Sequence, residues 1–215
     1  MIDTIDIIEL RRMFAAATDE IRREENLLSQ LDCVGGDGDH GTTMVRAMEK
    51  LVESLNTPGE EAIQSRLQNA GLSLLNVDGG ASSAILGTFI SGMGDVDLGA
   101  HVDCLQWGAA LGSGLRAVSR QSKAQPGDKT MVDALAPAVK TFQLAAAAGV
   151  DLPGAMLLAA NASRDGAEST KSMVARFGRA KYCGEKSLGS PDAGATSIAL
   201  LFRGFSAALT DKEEL

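Results

Sequence analysis

Apolar residues return every three or four positions through most of the chain with charged residues between them, the spacing that turns one face of an α-helix towards a core. From Ile5 onward, Leu10, Phe14, Ala17, Ile21 and Leu28 keep this period while Arg11, Glu20, Arg22 and Glu24 fall outside it, predicting a first helix that delivers the chain to Asp32. Met44, Met48, Leu51, Val52 and Leu55 predict a second, capped by Thr42 or Thr43 and ended before Pro58. Glu60 and Glu61 open a third, their charge favouring the positive end of its dipole, with Ile63, Leu67, Ala70 and Leu74 on one face. Further stripes are Ile85–Leu86–Phe89–Ile90, Trp107–Leu111–Leu115–Val118, and Met131–Leu135–Val139–Phe142 with a kink expected at Pro137. Pro153 suits the first turn of a helix through Leu157 and Ala160 towards Val174, and Ala195 to about Leu209 closes the chain. The pattern predicts an all-α protein of about eight helices, and in an up-and-down array alternate connections lie at the same end.

Composition agrees with that reading. Aromatic residues are 4% of the 215 and β-branched runs are scarce, whereas 45% hydrophobic content is ample for one domain spanning 1–215. A formal charge of −8 argues against nucleic acid or an anionic membrane as partner, since both need a basic surface. Cys33, Cys104 and Cys183 form no C-x-x-C pair, so neither a disulfide framework nor a zinc site is indicated and a reducing cytosol is expected. The N-terminus carries Asp3 and Asp6 where a signal peptide would carry cations, and no uninterrupted apolar run reaches the ~20 residues of a membrane span. The expected compartment is the cytoplasm.

The candidate chemistry lies between the helices. Residues 32–43 crowd Asp32, Asp37 and Asp39 together with Gly35, Gly36, Gly38 and Gly41. Two ionised carboxylates ~4 Å apart repel by roughly 4 kcal/mol at an effective dielectric of ~20, so a loop that converges three of them calls for a divalent cation. Hard oxygen ligands suit Mg²⁺, which shares its remaining positions with water and phosphate. Gly36-Asp-Gly38-Asp-His-Gly41 matches a dinucleotide fingerprint by letter, but no strand precedes it and its acids would repel a pyrophosphate. An EF-hand starting at Asp37 fails at Gly41, Thr42 and Met48, and a solvated acidic turn is the bland alternative. A second candidate is 76–83, where Gly79, Gly80, Ser82 and Ser83 at a helix start offer N–H groups and hydroxyls to a phosphate, unless they form a plain cap. Gly112-Ser-Gly114 lies within a helix and is read as close packing; Lys129-Thr130 lacks the spacing of a P-loop. The glycine-rich loops 32–43, 76–83, 125–130 and 177–194 stand about two helices apart, so they can converge on one site with Arg179 as its cation. That combination describes a Mg-nucleotide cradle, and phosphoryl transfer needs little beyond positioning and charge neutralisation.

Asp32-x4-Asp37-x-Asp39-His40-Gly41, Gly79-Gly80-Ala81-Ser82, Gly127-Asp128-Lys129-Thr130-Met131-x-Asp133, Gly178-Arg179-Ala-x-Tyr182-x-Gly184-Glu185-x-Ser187 and Asp192-x-Gly194-Ala195 together resemble, in order, the nucleotide-binding L subunit of dihydroxyacetone kinase. The resemblance implies an antiparallel barrel of eight α-helices that binds ADP or ATP through two Mg²⁺ ions in loops at one end. It implies Asp32, Asp37 and Asp39 as metal ligands, acting with Arg179 in catalysis. His40, Thr42, Thr43, Ser82 and Ser83 would lie around the phosphates, and Gly127, Met131, Arg179, Asp192 and Gly194 would line the rest of the nucleotide pocket. The chain departs from the family at Thr43 and Ser83, where Asn and Gly are common.

In the resembled enzymes a histidine of a separate K subunit holds the ketose, either dihydroxyacetone or a related triose or tetrose such as erythrulose. ADP is then either recharged in place by a phosphohistidine protein of the phosphotransferase system or exchanged for ATP. The only histidines here are His40, which the resemblance assigns to the nucleotide, and His101, read as a surface or helix-start residue, so this chain alone is not expected to phosphorylate a sugar. The competing readings are a nucleotide-binding regulatory module and a metal-dependent phosphohydrolase, the latter short of a separate general base.

Overall fold

The computed structural model describes residues 2–59, 62–75 and 80–210. Its helices are α1 (Ile7–Arg23), α2 (Glu25–Asp32), α3 (His40–Asn56), α4 (Ile63–Leu74), α5 (Gly80–Met93), α6 (Cys104–Gln121), α7 (Val132–Ala147), α8 (Leu152–Ser169) and α9 (Ala193–Thr210), with 3-10 turns at Thr170–Ser172 and Arg179–Ser187. Eight of them close a ring: α1 packs on α3, each helix from α3 to α8 packs on the next, and α9 returns to α1. The short α2 stands apart and packs on α3 and α9. The expected barrel of eight helices is this ring.

The expected first helix is two helices. The chain breaks at Glu24 (φ −104°, ψ 14°), and the turn allows α2 to leave α1 for its own seat. Gly41 makes that seat: a Cβ there would lie 2.0 Å from the Glu25 carbonyl oxygen. α3 begins at His40, two residues before the expected threonine cap, and Asp39 precedes it without a side-chain capping bond. Glu60 and Glu61, read as opening the third helix, lie outside the described residues. Side-chain caps open α1 with Asp6, α6 with a box between Asp103 and Gln106, and α8 with Asp151 ahead of Pro153. α8 stops at Ser169, short of Val174.

α7 runs through Pro137 as one helix. Proline has no N–H to offer the Asp133 carbonyl, and Gly166 of α8 seats there, where a Cβ would meet that oxygen at 2.3 Å. The glycines of α6 also serve close packing, since a Cβ on Gly114 would lie 2.5 Å from the Phe89 carbonyl oxygen of α5. Inside the ring lie Trp107, Phe14, Phe89, Phe142, Phe202 and Phe205, with the rings of Phe14 and Phe205 edge to face at 4.9 Å. α9 is long and apolar enough by composition to cross a membrane, but two thirds of it (67%) is buried in this core.

The two ends of the ring differ. A two-residue strand β1 (Thr4–Ile5) pairs antiparallel with β2 (Val102–Asp103), tying the N-terminus to the α5–α6 connection. The α2–α3, α6–α7 and α8–α9 connections and the start of α5 meet around a shared cavity.

Candidate functional site

The cavity has a volume of about 680 Å³, within the range of small-molecule and cofactor pockets. Its acidic wall begins where α2 ends. The Asp32 carbonyl accepts from the Gly35 and Gly36 N–H groups at 3.1 and 2.6 Å, which turns the chain back on itself. The Asp32 carboxylate accepts the Gly38 N–H at 2.9 Å, and Gly38 takes a left-handed φ of 78° to offer it. Any side chain at Gly36 would collide with that carboxylate, its Cβ 2.1 Å from Oδ1. Folded this way, Asp32, Asp37 and Asp39 bring ligand oxygens within 4.8 Å of one another. The half-buried Asp32 and exposed Asp37 and Asp39 thus form an oxygen donor set that fits a hard divalent ion.

Arg179, from the α8–α9 connection, forms an ion pair with Asp37 across the cavity mouth. The bonded guanidinium holds the Asp37 carboxyl below the usual range, while burial and the adjacent Asp37 charge hold Asp39 above it. Both partners of the ion pair are more than half exposed, so solvent screens it and it contributes little to folding.

His40 is the first residue of α3 and is buried. Its Nε2 lies 2.7 Å from the hydroxyl of Ser197 on α9, and that hydroxyl donates to the Ala193 carbonyl at 3.2 Å. On the other side of the ring, Nδ1 lies 3.2 Å from the Ser82 hydroxyl, so both ring nitrogens are held by serine hydroxyls. Burial lowers the His40 pKa, opposed by the charge of Asp32. Sequence reasoning had no means of finding Ser197, which is separated from His40 by 157 residues.

The cavity receives Asp32, Asp37, Asp39, His40, Thr43, Ser82, Met131, Arg179, Asp192 and Gly194 of the residues expected at the nucleotide. Thr42, Ser83 and Gly127 do not line it. Thr42 is exposed and its hydroxyl donates to Glu25 on α2. Ser83 is one step further round α5 than Ser82, so its hydroxyl is buried in the helix packing, where it has no hydrogen-bond partner. Gly127, at φ 99°, instead gives its N–H to Asp133 at 2.5 Å. Asn76, Val77, Asp78 and Gly79 of the second candidate loop lie outside the described residues. His101 is exposed, just before β2.

The cavity also receives two cations that the motif reading did not assign to the site. Arg46 and Lys129 both line the cavity. Asp192 accepts the Ala195 N–H at 2.8 Å at the start of α9, and burial pushes its pKa up to about 6 against the pull of that bond and of Lys129. Met131 packs beside Gly194, where a Cβ would lie 2.8 Å from its Cγ, so glycine keeps this part of the wall open.

Comparison with known proteins places this architecture. Residues 34–207 match the DAK2 domain. The ADP-binding subunit DhaL of the PEP-dependent dihydroxyacetone kinase of Escherichia coli (strain K12) is 35% identical over 181 residues, 84% of this chain and 86% of that protein. The L-erythrulose kinase of Pectobacterium atrosepticum is 36% identical over 202 residues, 90% of this chain but 33% of that enzyme. In structure, the dihydroxyacetone kinase of C. freundii in complex with AMP-PNP and Mg²⁺ superimposes with a TM-score of 0.71 at 25% identity, over 95% of this chain and 34% of that one. The match therefore spans most of the DhaL subunit and about a third of the larger kinases. By residues matched, length covered and fold, it belongs to the DAK2 domain family.

Proposed function

We propose that this chain is the nucleotide-bearing subunit of a dihydroxyacetone-type kinase. It holds ADP or ATP with Mg²⁺, as a pair of ions, and passes a phosphoryl group to a small ketose presented by a separate K subunit. The observation that carries this reading is the convergence of Asp32, Asp37 and Asp39 on the rim of a nucleotide-sized cavity that the start of α9 also lines. Mg²⁺ bound to those carboxylates would neutralise charge on the phosphoryl oxygens. Arg179 would turn from Asp37 to the transferred group, Ser82 and Thr43 would offer hydroxyls to the phosphates, and Met131, Asp192 and Gly194 would enclose the rest of the nucleotide.

The match to a PEP-dependent subunit along most of both chains favours ADP as a resident cofactor, recharged by a phosphohistidine protein. Such a complex would work in the cytoplasm. The test is to purify the protein without added nucleotide, denature it, and identify the released small molecule by mass spectrometry. Near-stoichiometric ADP is the expected result. An empty protein that binds Mg-ATP on titration would assign it to the ATP-exchanging kinases, and an empty protein that binds neither nucleotide would overturn the assignment.

A further inference from the structure

Lys129 has a left-handed backbone (φ 61°), alone among the described non-glycine residues. That conformation crowds Cβ against the backbone and persists where the surroundings over-determine it, most often at functional sites. Here the surroundings are specific. Asp133 accepts the Gly127 and Thr130 N–H groups at 2.5 and 2.7 Å, and Asp128 accepts that of Gln125 at 2.8 Å, so the loop is clamped on both sides of Lys129. The lysine side chain is 5% exposed, and its ammonium donates to the carbonyls of Thr170 at 2.7 Å and Ser190 at 2.6 Å.

Those two acceptors belong to different segments. Thr170, fully buried, follows α8, and its hydroxyl accepts the Asp192 N–H at 2.8 Å. Asp192 in turn accepts the Ala195 N–H in the first turn of α9. Through these bonds one ammonium joins the α6–α7 connection, the end of α8 and the start of α9. Of this network, Lys129, Ser190 and Asp192 line the cavity, with Gly194 beside them. Burial lowers the Lys129 pKa, and the charges of Asp192 and Asp133 offset that shift only in part.

We propose that Lys129 is a positioning residue whose ammonium holds the Ser190–Gly194 wall in the ligand-ready arrangement. Only the identity of the ligand rests on the nucleotide reading above. The test uses the full chain with Lys129→Met, which keeps the length of the side chain and removes its donors, and Lys129→Ala, which leaves room for an added amine. Two quantities are measured: amide hydrogen exchange of Asp192 and Ala195 without ligand, and the dissociation constant of ADP in Mg²⁺.

Both variants are expected to speed exchange at those amides at least tenfold and to weaken ADP by about 10- to 100-fold, with Mn²⁺ binding at the acidic loop unchanged within twofold. n-Propylammonium should restore slow exchange and ADP affinity to Lys129→Ala but not to Lys129→Met, whose cavity is filled; a purely space-filling role predicts instead that Lys129→Met exchanges as wild type does. Should Lys129→Met fail to fold, Lys129→Ala decides alone, with n-propylammonium expected to rescue it and n-butane, of the same length but without charge or donors, expected to fail. Unchanged exchange at Asp192 and Ala195, or loss of exchange protection that the amine does not restore, overturns the proposal. If wild-type protein binds no ADP the nucleotide reading falls, while the exchange and rescue results still decide the role of Lys129.

Discussion

Replacing Asp37 by Asn should weaken Mg-dependent ADP binding at least 100-fold and leave the far-ultraviolet circular dichroism of the helices unchanged. The loss is large because a hard divalent ion draws its affinity from the charge and count of its oxygen ligands, and one of three converging carboxylates becomes a neutral amide. A factor of 100 corresponds to about 2.8 kcal/mol, a modest demand for removing a charged ligand. The fold should not register the change, since Asp37 is exposed, lies between α2 and α3, and has an ion pair with Arg179 that solvent already screens. Calorimetric titration with ADP in Mg²⁺ reads the effect, and an unchanged dissociation constant would remove the acidic loop from the site.

The second large effect concerns the closure of the ring. Gly204 of α9 lies against α1 so closely that a Cβ would stand 2.4 Å from the Ala17 Cα and 2.5 Å from its nitrogen. These are backbone atoms of a packed helix and cannot swing aside as a side-chain tip would. Gly204→Val should therefore cost about 3 kcal/mol or more as overpacking, lowering the melting temperature by roughly 6–12 °C for a chain of this size. Gly99 is the matched control, since a Cβ there meets nothing within 4 Å and Gly99→Ala should melt as wild type does. A Gly204→Val protein with unchanged melting would mean that α1 and α9 do not meet at this distance. The same seam carries the Phe14–Phe205 contact.

What could be read from the sequence follows the range of the interactions. The stripes of α3 and α9 and the place of Pro153 in the first turn of α8 are local, and each stands where its residues indicated. The acidic loop was legible for the same reason: three carboxylates and four glycines within twelve residues have few other physical explanations. The break at Glu24 was not, because neither glycine nor proline marks it and the cause is tertiary, namely the seat of α2 on α3 and α9. Ser83 could not be separated from Ser82 until the rotation of α5 was known. Lys129 stood in plain view, yet its acceptors lie 41 and 61 residues away, so only the closed ring shows what it holds.

The most direct measurement on the central claim is calorimetric titration of the nucleotide-stripped wild-type protein with ADP, once in millimolar Mg²⁺ and once in EDTA. Joint residence of metal and nucleotide between the acidic loop and the start of α9 predicts tight binding in Mg²⁺ and a loss of at least 100-fold in EDTA. Equal affinity under the two conditions, or no binding under either, would contradict it.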